Sequence, residues 1–236
     1  ERTLISRIDL YPIGSDPLVM TFASREEAGR RLGHLLRAEG VEVDLVLGLP
    51  RGGVIVAAEV ARELKRPLDV LIVRKIGHPL HREFAVGALA EPDVVILDEH
   101  SLGGNLVVRS QLDGVIAEET KRLKEYRAKF HGGGVPELGG KTVLLVDDGL
   151  ATGATTAAAV LAARERNAAR IIVATPVASI GAFERLKRVA DDVKALLVDA
   201  DFEAVGQYYG VFDQTSDEEV LAALRESEKR GGEQPA

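Results

Sequence analysis

Two adjacent carboxylates, Asp147 and Asp148, close an apolar run and are followed at once by small residues and hydroxyls. The stretch reads VLLVDDGLATGAT, from Val143 to Thr155. An acidic pair and an anion cradle repel each other unless one ligand needs both. The candidate cradle is Ala151, Thr152, Gly153, Ala154 and Thr155. Small residues let backbone N–H groups close around an anion, and a following helix favours negative charge at its start by roughly 0.3–1 kcal/mol. No Gly-Lys-Ser/Thr follows, so this is not a Walker loop. Carboxylates accept hydrogen bonds from a vicinal diol and favour positive charge developing on a sugar ring. A sugar phosphate satisfies both halves, with its phosphate in the cradle and its ribose hydroxyls on Asp147 and Asp148. The plainer alternative is an acidic turn followed by a helix cap.

Other stretches carry chemistry-bearing residues. GLPRGG (48–53) places Arg51, Gly52 and Gly53 where a strand turns into a helix, and glycines there permit close backbone approach to a ligand. VRKIGHPLHREFAVGALAE (73–91) carries Arg74, Lys75, His78, His81 and Arg82. A solvated charged loop is the competing reading. The five His show no metal-ligand spacing, and the absence of cysteine excludes disulfides, Cys-zinc sites and cysteine nucleophiles.

The elements that must position these residues follow from periodicity. Ser24-Arg-Glu-Glu27 is a capping box that opens a helix over about 25–39, with Gly40 as its stop. Apolar runs at 43–50, 68–73, 141–148, 170–175 and 193–198 read as strands. Helices are expected at 53–64, 154–166 and 182–190. Strands apolar on both faces and alternating with helices mean a parallel α/β sheet. Ligands of such sheets sit at the carboxyl ends of strands, where Asp147 and Asp148 fall. The rhythm breaks at 91–140. That excursion holds a strand-like DVVIL, a helical pattern through Leu112, Ile116, Leu123, Tyr126 and Phe130, and a glycine-rich return. A second capping box at 216–224 opens a final helix, and 231–236 reads as a frayed tail. One domain over 1–230 accounts for the whole pattern.

Bulk properties narrow the class. The 236 residues carry 30 basic and 37 acidic side chains, a net charge of −7 without a long basic block. This argues against nucleic acid as a partner, because such binding rests on phosphate neutralisation. No apolar run approaches membrane-spanning length, so no membrane partner and a cytoplasmic location are expected. A single Met and no cysteine suit a heat-adapted source.

VLLVDDGLATGAT resembles the phosphoribosyl diphosphate (PRPP) motif of type I phosphoribosyltransferases: apolar strand, two acids, then Thr-Gly-x-Thr. GLPRGG resembles that family's diphosphate loop, and 73–91 its mobile catalytic loop. LPRGGV, RKIG, EFAVGALAE and FEAVGQYYGVFDQTSDEEV (202–220) together resemble one bacterial subgroup of predicted phosphoribosyltransferases. The resemblance covers most of the chain. It implies a parallel sheet of about five strands under a small hood, built here from the N-terminal segment, the C-terminal segment or both. It also implies transfer of 5-phosphoribosyl from PRPP to a nitrogen acceptor, such as a nucleobase, with release of diphosphate, as in nucleotide metabolism.

The roles implied for this chain follow from the matching positions. Asp147, Asp148, Lys75 and Arg74 are the catalytic candidates. Residues 151–155 hold the 5′-phosphate, and Arg51, Gly52, Gly53 and Lys75 the diphosphate. Mg2+ is held mainly through PRPP, with Asp147 or Asp148 reaching it through water. Phe202 is the stacking candidate for the acceptor, with Tyr208 and Tyr209 near it and Val177 in the loop after RIIVAT, although the three aromatics equally suit hood core. Segment 74–85 is expected to be poorly ordered without ligand. A homodimer is the expected assembly. The alternatives are a non-catalytic PRPP-binding regulator and an enzyme acting on another ribose phosphate.

Overall fold

The computed structural model describes residues 22–91, 94–97, 106–131 and 134–231. The expected N-terminal hood segment (1–21) and the tail beyond 231 therefore lie outside the described residues. Five strands form one parallel sheet: β1 (Leu45–Gly48), β2 (Leu68–Val70), β6 (Thr142–Val146), β7 (Arg170–Ser179) and β8 (Asp192–Asp199), in the order β2-β1-β6-β7-β8. The central strands β1, β6 and β7 are buried on both faces. Val46, Leu144 and Ile172 join one core layer, and Leu47, Leu145 and Val173 the other. This is why these strands read as unbroken apolar runs instead of alternating ones.

Helices α1 (Arg25–Ala38) and α2 (Gly52–Leu64) cover one face. They run parallel to each other, in close contact. A Cβ on Gly29 would stand 2.7 Å from the Val56 carbonyl oxygen, and one on Gly33 2.7 Å from the Glu63 Cβ. This packing brings both helix N-termini to the carboxyl end of the sheet. The Ser24 hydroxyl accepts from Glu27 N–H at 3.4 Å, as the capping box requires. The returning Glu27 carboxylate accepts from Ala23 N–H, one residue before the cap.

Segment 73–97 departs from expectation. It forms a second, antiparallel sheet of β3 (Val73–His78), β4 (His81–Ala90) and β5 (Val94–Leu97) where a free catalytic loop was expected at 74–85. The cause is local. Ile76, Val86 and Leu89 are buried in the main core layer, and a chain with that apolar content pairs instead of staying solvated. The excursion then continues as α3 (Leu106–Phe130), which puts Leu112, Val115, Leu123 and Phe130 into the same layer. Helices α4 (Ala154–Glu165), α5 (Ile180–Leu186) and α6 (Asp217–Gly231) complete the fold. Strand β7 is longer than read, extending through Pro176 to Ser179. The gap that proline leaves in the pairing is bridged by neighbours on both sides, Thr175 with Ala195 and Val177 with Leu197.

A buried ionic buckle joins the two sheets and the excursion. His131, which follows α3, donates from Nε2 to Glu91, whose oxygens both lie 2.9 Å away. Its Nδ1 lies 3.3 Å from Asp69 in β2. Glu91 also accepts from Ile72 N–H at 3.0 Å, closing the base of the β3–β4 hairpin. Burial alone would pull the imidazolium down, but the bonds to Asp69 and Glu91 prevail and raise it to about 9. A folded-state value above the unfolded 6.5 means that this stabilisation is complete below about pH 6.5 and is lost as pH climbs through about 9. Calorimetric Tm is therefore expected to fall between pH 6.5 and 9.5, and His131→Gln to lower Tm at pH 6.5 and flatten that dependence. An unchanged slope in the variant would place the titrating group elsewhere.

Candidate functional site

The carboxyl end of β6 carries the acidic pair, and the start of α2 stands directly against it. A Cβ on Gly53 would lie 2.8 Å from the Val146 carbonyl oxygen and 3.1 Å from Asp147 Oδ1. One on Gly52 would lie 2.0 Å from Asp148 Oδ2. Neither position takes a Cβ unless a neighbour shifts, so the glycine loop and the acidic pair, distant in the chain, form a single surface. The peptide between Pro50 and Arg51 in this loop is cis.

The two carboxylates differ in environment. Asp147 points inward, where Oδ1 accepts from Asp148 N–H at 2.9 Å and Oδ2 from the Thr156 hydroxyl at 3.2 Å. Burial, reinforced by the charge on Asp148, pushes it well above the ordinary carboxylate range. Asp148 instead accepts from Arg25 Nε at 2.8 Å, and its backbone carbonyl accepts from the Tyr209 hydroxyl at 2.6 Å. At neutral pH the site thus sets a carboxyl that resists ionisation beside a charge-compensated carboxylate.

The cradle follows. Leu150 bridges to Ala178 at the extension of β7, and the Ser179 hydroxyl donates to the Ala151 carbonyl at 2.7 Å. Ala151 and Thr152 are exposed, and Gly153 caps α4 in the left-handed region, at φ +69°. No side chain of the cap residue bonds the helix start. Ala154 N–H donates to Thr152 Oγ1 at 3.3 Å. The helix therefore presents an anion site without a built-in anion. Gly153→Val forces a β-branched residue into a conformation costing about 1–2 kcal/mol, with its Cβ 3.3 Å from that of Ala182. Ribose 5-phosphate affinity is expected to fall more than tenfold, roughly 1.4 kcal/mol or more, in a chain that still melts cooperatively. Undiminished affinity in a titration would remove the cradle assignment.

The other candidates are distributed unevenly. Arg51 and Arg74 both line a cavity of about 200 Å3 with Pro50, Ile72, Val73 and Tyr126, beside the glycine loop. Arg51 lies 3.7 Å from Asp217 at the start of α6, and Arg74 donates to Glu119 of α3 at 2.9 Å. Lys75 is exposed on β3. The Arg82 side chain lies outside the described residues. Val177, Tyr208 and Phe202 do come together, as part of a small core with Phe22, Ala28 and Tyr209. Val177 and Tyr208 are buried, and Tyr208 donates to Asp199 at 2.7 Å. Phe202, half-buried, packs against Tyr208 with ring centroids 5.4 Å apart. Among the described residues, no group of three or more His, Asp and Glu side chains is arranged to hold a metal.

Arg25 and Thr156 at the pair escaped the sequence reading, and Tyr209, read there as an aromatic near the acceptor, holds the Asp148 carbonyl instead. Arg25 and Tyr209 are 123 and 61 residues from Asp148, and no spacing rule connects them. Thr156 follows the motif by one residue and could have been included as the second hydroxyl on the helix facing Asp147. The terminal segments also meet here. Phe22 N–H donates to the Tyr208 carbonyl, and Gly210 N–H to that of Phe22. Of the expected terminal hood, this much lies within the described residues.

Comparison with known proteins agrees with this geometry. Residues 25–209 match the model of the phosphoribosyl transferase domain. Proteins of two Mycobacterium tuberculosis strains, CDC 1551 and H37Rv, both carrying the name "Putative phosphoribosyl transferase", are 42% identical over 205 residues. The match takes in 86% of this chain and 46% of theirs, so the chain spans about half the length of the curated relatives it matches. The crystal structure of TT1426 from Thermus thermophilus superposes with a TM-score of 0.76 at 43% identity, over 88% of this chain and 99% of that one. No helix among the described residues is long and apolar enough to cross a membrane.

Proposed function

Because the chain belongs to the phosphoribosyltransferase family, we propose that it transfers the 5-phosphoribosyl group of PRPP to a nitrogen acceptor with release of diphosphate. The observation that carries this reading is the contact between the glycine loop and the acidic pair, with the N-terminus of α4 beginning beside them. Three adjoining surfaces thereby suit the three parts of one donor. The α4 N-terminus takes the 5′-phosphate, Asp147 and Asp148 the ribose hydroxyls, and Gly52, Gly53 and Arg51 the diphosphate. The C1–oxygen bond breaks with its electron pair leaving on diphosphate, the acceptor nitrogen bonds to C1, and a nitrogen proton passes to solvent. Asp148 stabilises the positive charge that builds on the ribose ring.

Mg2+ would be held mainly by the donor's own oxygens, and Asp148, or Asp147, would reach it through water. Such an ion neutralises charge on the leaving diphosphate. Arg74 of β3, which lines the cavity beside the glycine loop, adds positive charge toward the diphosphate, with Lys75 next to it in the strand, and the β3–β4 hairpin limits water access. The acceptor is a small nitrogen compound, with a nucleobase as the first candidate, and Phe202 the aromatic best placed to stack on it. A homodimer in the cytoplasm remains the expected setting.

A second reading, a regulator that binds PRPP without turnover, is favoured by the Arg74–Glu119 bond, which turns one proposed catalytic cation toward α3. The experiment is a titration with PRPP and Mg2+, followed by a diphosphate-release screen over bases, amines and small aromatic acids. Binding with turnover supports the transferase. Binding without turnover across the panel supports the regulator, and no binding removes both.

A further inference from the structure

The cation best placed for a diphosphate is none of those in the glycine loop or on β3. Parallel packing of α1 on α2 sets Arg25, the first residue of α1, over Gly52, the first residue of α2. A Cβ on Gly52 would lie 2.7 Å from Arg25 Nε, so the guanidinium rests directly on the backbone of that loop. It is also held rigidly. Nε donates to Asp148 at 2.8 Å and Nη1 to the Asp213 carbonyl at 2.8 Å, while the guanidinium carbon stands 4.0 Å above the Phe212 ring. The side chain is only 12% exposed. Meanwhile Arg51 faces Asp217, and Arg74 is bonded to Glu119.

We infer that Arg25 is a diphosphate-binding residue, which turns from Asp148 to an oxygen of the donor's diphosphate and so leaves Asp148 to the ribose hydroxyls. This rests on the transferase reading above. A guanidinium is suited to the exchange because its planar fork bonds carboxylate and phosphate oxygens alike and stays charged throughout. Its seat on Phe212 remains in place, so little side-chain freedom is lost when the partner changes. Without a donor, Arg25 offsets the charge on Asp148. With a donor, it adds positive charge at the leaving group.

The test is calorimetric titration of the full chain with inorganic diphosphate in Mg2+-free buffer, and with ribose 5-phosphate and PRPP–Mg2+, each variant first checked by thermal melting. Arg25→Gln is expected to weaken diphosphate binding at least tenfold, roughly 1.4 kcal/mol, and ribose 5-phosphate much less. Arg25→Lys, which keeps the charge but not the planar fork, is expected to recover only part of the loss. Asp148→Asn frees the guanidinium and removes a like charge, so diphosphate should bind several-fold tighter. If Arg25 is the cause, most of that gain disappears in the Arg25→Gln/Asp148→Asn double variant. Unchanged diphosphate affinity in Arg25→Gln, equal losses for diphosphate and ribose 5-phosphate, or a wild-type chain that binds PRPP but not diphosphate would each overturn the inference alone. A wild-type chain that binds neither PRPP nor ribose 5-phosphate would instead remove the transferase reading beneath it.

Discussion

Asp148→Asn is expected to lower turnover with PRPP by about 10²–10³-fold, roughly 3–4 kcal/mol of transition-state stabilisation. Three features make the effect large. Asp148 follows the end of β6, so the sheet fixes its backbone. The Tyr209 hydroxyl holds its carbonyl at 2.6 Å, which removes freedom at the next peptide. Before the donor binds, Arg25 and not solvent holds its carboxylate in position for the ribose hydroxyls. A charge preorganised in this way stabilises a developing ribosyl cation without reorganising during the reaction. Asparagine keeps the shape and an acceptor oxygen but loses the charge, so the fold is expected to survive. kcat and kcat/KM for PRPP should fall together, the signature of a contact made chiefly in the transition state. Diphosphate release, followed with the acceptor found by screening, supplies the measurement. A loss below tenfold would reduce Asp148 to a structural role at the end of the strand.

Gly52→Val should weaken PRPP binding about 100-fold or more, the equivalent of ~3 kcal/mol. The added Cβ would begin 2.0 Å from Asp148 Oδ2 and 2.7 Å from Arg25 Nε. Neither atom can stay where it is. Either Asp148 swings away and breaks its pair with Arg25, or the glycine loop lifts from the carboxylates. Both outcomes separate the surfaces proposed for ribose and diphosphate. Overpacking of this kind commonly costs about 1–3 kcal/mol of stability, so a modest drop in Tm should accompany the loss. Titration with PRPP–Mg2+ is decisive: affinity within tenfold of wild type would mean that the donor does not lie across Gly52. Ribose 5-phosphate, which lacks the diphosphate, should be affected less than PRPP.

The parallel sheet was legible from sequence because it depends on local, repeated features. Strands buried on both faces must be apolar throughout, as VLLV before Asp147 is. The order of small residues and hydroxyls at 151–155 likewise marks a helix start, and Gly153 does occupy the left-handed cap there. Both readings need only one stretch of chain and its own backbone requirements. The Ser24 cap was legible for the same reason.

Segment 73–97 was not legible. Its charges at 74, 75, 78, 81 and 82 suggested a solvated loop, whereas Ile76, Val86 and Leu89 outweigh them by entering the core. Whether a mixed segment pairs depends on the partner face that α3 supplies, and a sequence window carries no information about that face. The same limit applied to Val177, read as a loop residue near an acceptor. Strand β8 continues beside it and buries it with Phe22 and Tyr208. The residues around Asp148 make the point most clearly. The chain's own order gives the acids, the glycines and the phosphate cradle. Only tertiary packing puts Arg25 on Gly52, Tyr209 on the Asp148 carbonyl and Asp217 beside Arg51. A hydrogen bond or ion pair of that kind is a relation between distant segments. It is decided when helices and strands find their places, because its energy depends on a distance that no local stretch of sequence contains.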